Sequence, residues 1–305
     1  MFHFDIVHGC QLRCIGCPNS TLLPKIQRIE IDDFERCMNN VDVDHVHTLR
    51  LFNFGEPLLH RNLSGIFQVI KRQRWAPDNV EISTNGQRVY WDDFEEALKL
   101  GVLTRLVVSC DGDGSPEAYE RLRPPGKWDK FIEFLERSRE LRDRHAPELE
   151  LMTRSIVQSK QDALNWKRVL EPRGWNAEFR TWKALPEAKE NMTGREIKPA
   201  KGICTFVAPS ERFSHLYHGQ LNQLYADWDG TVVPCCVHPK AAVLGNLKEQ
   251  TYNEILRDER RKHFLALLEK DRKNMPICGI CEYGPPENPG PSFADSAPEL
   301  EEMTV

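Results

Sequence analysis

An α/β fold built on a parallel sheet, followed by a smaller cysteine-bearing unit, is what this sequence predicts. Three observations carry that expectation. Strand-like apolar runs alternate six times with helical periodicity, short turn-rich segments join them, and most cysteines fall into one group near the start and one near the end. Strands that alternate with helices over short connections pair in parallel through right-handed crossovers. A partial (β/α)6 barrel and an open doubly wound sheet both satisfy the pattern.

The first strand is expected over residues 2–7, Phe2-His3-Phe4-Asp5-Ile6-Val7. Asp32-Asp33 ahead of Phe34 and Met38 marks a capped helix with Cys37 on its apolar side, where a thiol acts as a small core residue. The second strand covers residues 48–54 and runs into Gly55-Glu56-Pro57, with a helix over 63–72. The third, near 80–83, ends at the turn Thr84-Asn85-Gly86 and is followed by a helix over 91–100. The fourth, 103–109, runs into Cys110-Asp111-Gly112 ahead of a long helix over 128–144. The fifth strand is 149–156, its helix 161–170, and the sixth strand 177–182.

The chemistry centres on Cys10-x3-Cys14-x2-Cys17, directly after the first strand. Three thiolates at this spacing can hold one face of an iron–sulfur cube, and no fourth cysteine nearby closes it, so one iron keeps an open position for an exchangeable ligand. A tetrahedral zinc site that adds His8 is the competing reading of the same residues.

The totals describe an ordinary soluble globular protein: 305 residues, 40% apolar, 29% charged, net charge −5. Such a balance gives no reason to expect nucleic acid as a partner. No apolar run reaches membrane-spanning length and no signal-peptide pattern opens the chain, so a cytoplasmic location is expected. Ten cysteines in motif-like clusters suit metal or cluster ligation better than a disulfide framework.

Here the sequence resembles the radical S-adenosylmethionine (radical SAM) enzymes, whose signature is this C-x3-C-x2-C. The resemblance selects the partial (β/α)6 TIM-like barrel, with the cluster loop after the first strand. It implies that the open iron of a [4Fe–4S] cluster chelates S-adenosylmethionine. Gly55-Glu56-Pro57 is similar to the end of the family's G-G-E-P segment, whose backbone carbonyls hold the cofactor's amino group, although Phe54 replaces the first glycine. Ser83 and Asn85 match its S-T-N-G, and Ser109 and Asp111 its S-x-D-G, with the serine near the ribose. Cys110 is then expected to face the helices. Gly16 departs from the aromatic residue often found before the last cysteine in this family.

Residues 184–202 lack apolar periodicity and read as a bridge between the units. Beyond it, Asp229-Gly230 between apolar alternations signals a two-residue hairpin turn. Cys204, Cys235, Cys278 and Cys281 supply four thiolates, enough for a structural zinc or a closed [4Fe–4S] cluster. Their layout resembles the α+β twitch domain of radical SAM enzymes, a shortened SPASM domain, and the resemblance implies one auxiliary [4Fe–4S] cluster. Cys235 and Cys236 are expected on one strand, facing opposite sides. A helix is expected over 251–268, and the expected organisation is a barrel at 1–190, a twitch domain at 191–284 and a disordered tail at 285–305.

The resemblance implies an enzyme that cleaves S-adenosylmethionine with one electron from an external reductant, such as flavodoxin or ferredoxin, and abstracts a hydrogen atom. With the first strand beginning at Phe2, no peptide-guiding domain is expected before it, which favours a small polar substrate of sugar or aminocyclitol type in oxidation or epimerisation. Peptide modification is the alternative, and a non-catalytic zinc or iron–sulfur protein is the alternative of another class. Arg154, a charge near the end of an otherwise apolar strand, is a candidate substrate contact. Cys236 is a candidate hydrogen donor.

Overall fold

The computed structural model describes residues 1–22, 25–180, 204, 224–238, 240–281 and 283. The bridge at 184–202 and the tail at 285–305 lie outside them. Six parallel strands stand side by side in chain order: β1 (Phe2–Phe4), β4 (Thr48–Arg50), β5 (Asn79–Thr84), β6 (Arg105–Asp111), β7 (Glu150–Ile156) and β8 (Asn176–Arg180). That order is the one right-handed crossovers generate. Together with the solved structures described below, it makes the unit a partial TIM-like barrel.

The helices bury the stripes that their periodicity announces. In α2 (Ile31–Asn39) the buried residues are Phe34, Cys37 and Met38; in α4 (Trp91–Lys99) they are Phe94, Ala97 and Leu98, the same i, i+3, i+4 pattern. Further crossovers run through α3 (Leu63–Lys71), α5 (Pro116–Leu122), α6 (Trp128–His145) and α7 (Lys160–Leu170). Phe4 of β1 meets Phe34 of α2 edge to face at 5.2 Å, joining sheet and helix layers. Cys37 is fully buried at 0% exposure, as a packed and inert thiol should be.

Several local expectations change. The first strand stops at Phe4, because Asp5 turns its carboxylate onto the loop after β4; Val7–His8 instead form β2, paired antiparallel with β3 (Gln27–Arg28). A short helix α1 (Pro18–Leu22) follows the cluster loop. The helix expected at 251–268 is two helices, α8 (Tyr252–Arg257) and α9 (Glu259–Lys270), because Asp258 is extended at ψ 142° and caps α9 by accepting the Arg260 N–H.

The C-terminal unit is continuous with the barrel sheet. β9 (Leu224–Ala226) pairs in parallel with the free edge of β1, placing Tyr225 opposite His3, and β10 (Thr231–Val233) and β11 (Gly245–Asn246) extend the sheet beyond it. The β9–β10 turn has three residues, not two. Gly230 N–H bonds the Asp227 carbonyl, Asp227 N–H bonds the Thr231 carbonyl, and Gly230 sits at φ 83°, a type I turn closed by a left-handed glycine. A Cβ at Gly230 would come within 3.0 Å of the Cys37 sulfur, so the turn packs directly on α2. Among the described residues no helix is long and apolar enough to cross a membrane.

Candidate active site

Cys10, Cys14 and Cys17 lie on a loop bent by two left-handed glycines, Gly9 at φ 80° and Gly16 at φ 81°. An aromatic residue at position 16 would be strained there, which gives the departure at Gly16 a backbone cause. The loop is tied to the segment after β6: Arg13 N–H donates to the Pro124 carbonyl at 2.6 Å and Ile15 N–H to the Leu122 carbonyl at 2.9 Å. Two N–H donors already face the Cys10 sulfur, Leu12 N at 3.4 Å and Asn85 Nδ2 at 3.3 Å.

Burial pushes the Cys10 thiol up to about 12 and Cys14 up to about 11, while the Arg123 guanidinium pulls Cys14 back. Thiolates in this loop therefore need positive charge, which iron and Arg123 can both provide. Arg123 is 8% exposed and held by Asp111, whose Oδ2 accepts from Nη1 at 2.8 Å. Sequence reasoning placed Asp111 here and missed Arg123.

The loop after β4 presses on the same segment. A Cβ at Gly55 would lie 1.6 Å from the Val7 carbonyl oxygen, so only glycine fits, for reasons of space. Glu56 N–H donates to the Gly9 carbonyl at 3.0 Å. The Glu56 carboxylate is 3% exposed and engaged by the protein itself, accepting from Leu58 N at 3.0 Å, Thr84 Oγ1 at 2.5 Å and Asn85 N at 2.7 Å. Burial still raises it to about 7. The Glu56 side chain is therefore committed to the protein, and its backbone is used as well, the carbonyl accepting from Leu59 N at 3.2 Å. Asp5 is another residue that the motifs did not reveal: its carboxylate accepts from three successive backbone N–H groups, Asn53, Phe54 and Gly55.

Below the loops, side chains from five strands meet inside the barrel. Glu81, 1% exposed, faces Arg154 Nη1 at 2.7 Å, Arg50 Nε at 3.4 Å and Arg105 Nη1 at 3.8 Å, and Arg154 Nε also reaches Glu178 at 3.3 Å. The contacts to Glu81 are ion pairs rather than aligned hydrogen bonds. Arg154 is thus an inward residue. Ser109 stands beside it in register, and Glu81 and Ser83 lie two residues apart on β5. Cys110 points the other way, fully buried and 2.9 Å from Ser155 Oγ, as expected.

The second cysteine set also gathers. Burial raises Cys235 to about 12, with Cys236 and then Cys204 adding to the rise; burial raises Cys278 to about 11, with Cys204 and Cys281 adding and Arg272 opposing. Cys204, Cys235, Cys278 and Cys281 therefore share one electrostatic neighbourhood. Arg272 holds the Cys278–Cys281 turn, donating from Nε to the Cys278 carbonyl at 3.0 Å and from Nη2 to the Cys281 carbonyl at 3.3 Å. Cys235 and Cys236 lie beyond the end of β10, so strand alternation does not separate them as expected. Cys236 contacts the Tyr225 hydroxyl, and Tyr225 stacks on His3 with ring centroids 4.6 Å apart, linking this unit to the barrel interior.

The model for the radical SAM superfamily matches residues 5–145, and that for SPASM, an iron–sulfur cluster-binding domain, matches residues 218–282. The chain belongs to the radical SAM superfamily. Membership with a SPASM-like domain implies S-adenosylmethionine and [4Fe–4S] clusters as cofactors. Among solved structures, this radical SAM protein is similar to native anSMEcpe with bound AdoMet, at a TM-score of 0.55 and 14% identity over 92% of this chain and 88% of that one. It is similar also to anSMEcpe with bound AdoMet and the Cp18Cys peptide, at 0.54 and 14% over 92% and 87%. No curated protein sequence matches.

The donor set suits the cluster: Cys10, Cys14 and Cys17 are free thiols on one loop, the soft ligands an iron–sulfur cluster takes, and two N–H donors already face the Cys10 sulfur.

Proposed function

We propose that the chain reductively cleaves S-adenosylmethionine and abstracts a hydrogen atom from a substrate in the barrel. The observation that carries this reading is the meeting of four strand ends: the loop of Cys10, Cys14 and Cys17 after β1, the turn at Gly55 and Glu56 after β4, Asn85 after β5, and Asp111 with Arg123 after β6. Chemistry in barrels of parallel strands sits at that end.

In this reading Cys10, Cys14 and Cys17 would hold the [4Fe–4S] cluster, which with S-adenosylmethionine and an electron from flavodoxin or ferredoxin would supply the radical chemistry of hydrogen abstraction. Backbone carbonyls near Gly55 and Glu56 hold the cofactor's amino group, and Ser83, Asn85, Ser109 and Asp111 with Arg123 frame the rest. The barrel interior orients the substrate and keeps water out. Cys204, Cys235, Cys278 and Cys281 would hold an auxiliary cluster able to take up the second electron of an oxidation, and Cys236 is the candidate hydrogen donor for an epimerisation instead.

For the substrate we favour a small polar molecule of sugar or aminocyclitol type, processed in the cytoplasm. The charged layer of Arg50, Glu81 and Arg154 supports a polar substrate, with Arg154 as part of the chamber wall. A peptide substrate is the second reading, favoured by the bound peptide of the similar anSMEcpe structure.

The test is anaerobic reconstitution of the parent and of a Cys10/Cys14/Cys17→Ala triple variant. Expected are about eight irons in the parent and about four in the variant, as two [4Fe–4S] clusters require. The reduced parent should release 5′-deoxyadenosine from S-adenosylmethionine and the variant should not. Stoichiometric zinc without iron, or an iron–sulfur protein that leaves S-adenosylmethionine intact, would return the chain to the non-catalytic class.

A further inference from the structure

We infer that Asp5 is a positioning residue that sets the shape of the S-adenosylmethionine-binding turn at residues 53–56; the inference rests on the function proposed above. Asp5 is 1% exposed. Its Oδ1 accepts from Asn53 N at 2.6 Å and Gly55 N at 3.1 Å, and its Oδ2 accepts from Phe54 N at 2.7 Å. Three consecutive amides converging on one carboxylate form an anion nest made of backbone, with the nested anion supplied by the chain itself.

The consequence follows from peptide geometry. In a planar trans peptide the carbonyl points opposite to the N–H. Holding the N–H groups of residues 53, 54 and 55 against Asp5 therefore turns the carbonyls of Phe52, Asn53 and Phe54 away from it. The Phe54 carbonyl is then received by Asn19 Nδ2. Asn19 is itself 3% exposed, so water does not compete for that contact.

The segment that carries Asp5 also carries the cluster loop. Val7 bounds Gly55 through its carbonyl, and Gly9 accepts the Glu56 N–H at 3.0 Å. Residues 5, 7 and 9 thus hold successive parts of the turn, and residue 10 is the first thiol. A ligand chelated by the open iron at one end and by backbone carbonyls at the other needs these two elements at a fixed separation. Asp5 supplies the only charge in that set of contacts, and Phe54 stands where a glycine would leave the turn free to choose among more conformations.

Asp5→Asn keeps the size and replaces one acceptor by a donor that faces backbone N–H groups. S-adenosylmethionine binding is read by anaerobic equilibrium dialysis on reconstituted protein, with iron and sulfide measured on the same samples. The expected result is an affinity loss of roughly 10- to 100-fold at parental iron content, the range set by one or two charge-assisted hydrogen bonds. Hydrogen exchange at the amides of residues 53–55 gives a reading independent of the cofactor, protected in the parent and released in the variant.

Unchanged affinity at parental iron content, or unchanged amide protection, overturns the proposal. A parent that binds no S-adenosylmethionine overturns the proposed function instead, while the exchange measurement still decides whether Asp5 holds the turn. If Asp5→Asn does not fold, Asp5→Ser, smaller and still an acceptor, takes its place under the same criteria.

Discussion

The Thr84 hydroxyl donates to Glu56 Oε1 at 2.5 Å, joining the ends of β4 and β5 through a carboxylate that water barely reaches. Two short motifs more than twenty-five residues apart in sequence thereby become one object. Thr84→Val keeps the shape and removes the donor to a buried charge, so unfolding free energy should fall by about 1.5–3 kcal/mol. Urea denaturation checks it, and Thr84→Ser should retain most of the stability.

Glu81 stands among three guanidinium groups. Glu81→Gln leaves them to repel one another and should cost about 3 kcal/mol, the low end for a broken buried pair because Arg50 and Arg105 keep some access to water. If chemical denaturation finds Glu81→Gln as stable as the parent, the layer does not act as an ion-pair network.

His3 gives the chain a pH signature. Burial first, and then Arg50, hold its imidazole down at about 3. Below about 6.5 the unfolded chain takes up a proton that the folded one refuses, so this contribution to stability is lost as pH falls, at up to about 1.4 kcal/mol per unit. Asp5 and Glu56, both raised to about 7 by burial, act in the opposite direction, since they bind protons in the folded state first. The clean readout is a difference: His3→Phe should gain stability relative to the parent steadily from pH 6.5 to pH 4. A flat difference would show that His3 is protonated in the fold.

Gly16→Tyr restores the aromatic residue common in the family but asks an L-residue to adopt φ 81°. A cost of about 1–2 kcal/mol is expected, with poorer iron uptake at the first cluster. Normal iron content and normal stability would mean that the loop relaxes around the side chain.

Arg272→Gln removes the charged clamp on the Cys278–Cys281 turn. Iron per chain should fall toward the content of one cluster, and the electron paramagnetic resonance signal that remains should be the one lost in the Cys10/Cys14/Cys17→Ala variant.

The strand order was legible because periodicity is a local signal, and so was the place of the Cys10-x3-Cys14-x2-Cys17 loop just after the first strand. Asp5, Arg123 and Arg272 were not. Each acts by accepting from or donating to atoms distant along the chain, and a lone Asp or Arg has no pattern to give away which backbone it will face. Glu56 shows the intermediate case: the motif marked its place, while the side chain turned out to serve Thr84 and Asn85. The break at Asp258 and the three-residue turn at Gly230 depend on φ and ψ choices that apolar periodicity does not encode.

The pairing of β1 with β9 also bears on how the chain reaches its fold during synthesis. Until residues 224–226 have left the ribosome, one side of β1 has unmet backbone N–H and C=O groups, a template for any other extended segment. The strand that leads into the cluster loop is thus among the last to be fully paired, and a fragment ending with β8 should associate with itself more readily than a chain that carries β9.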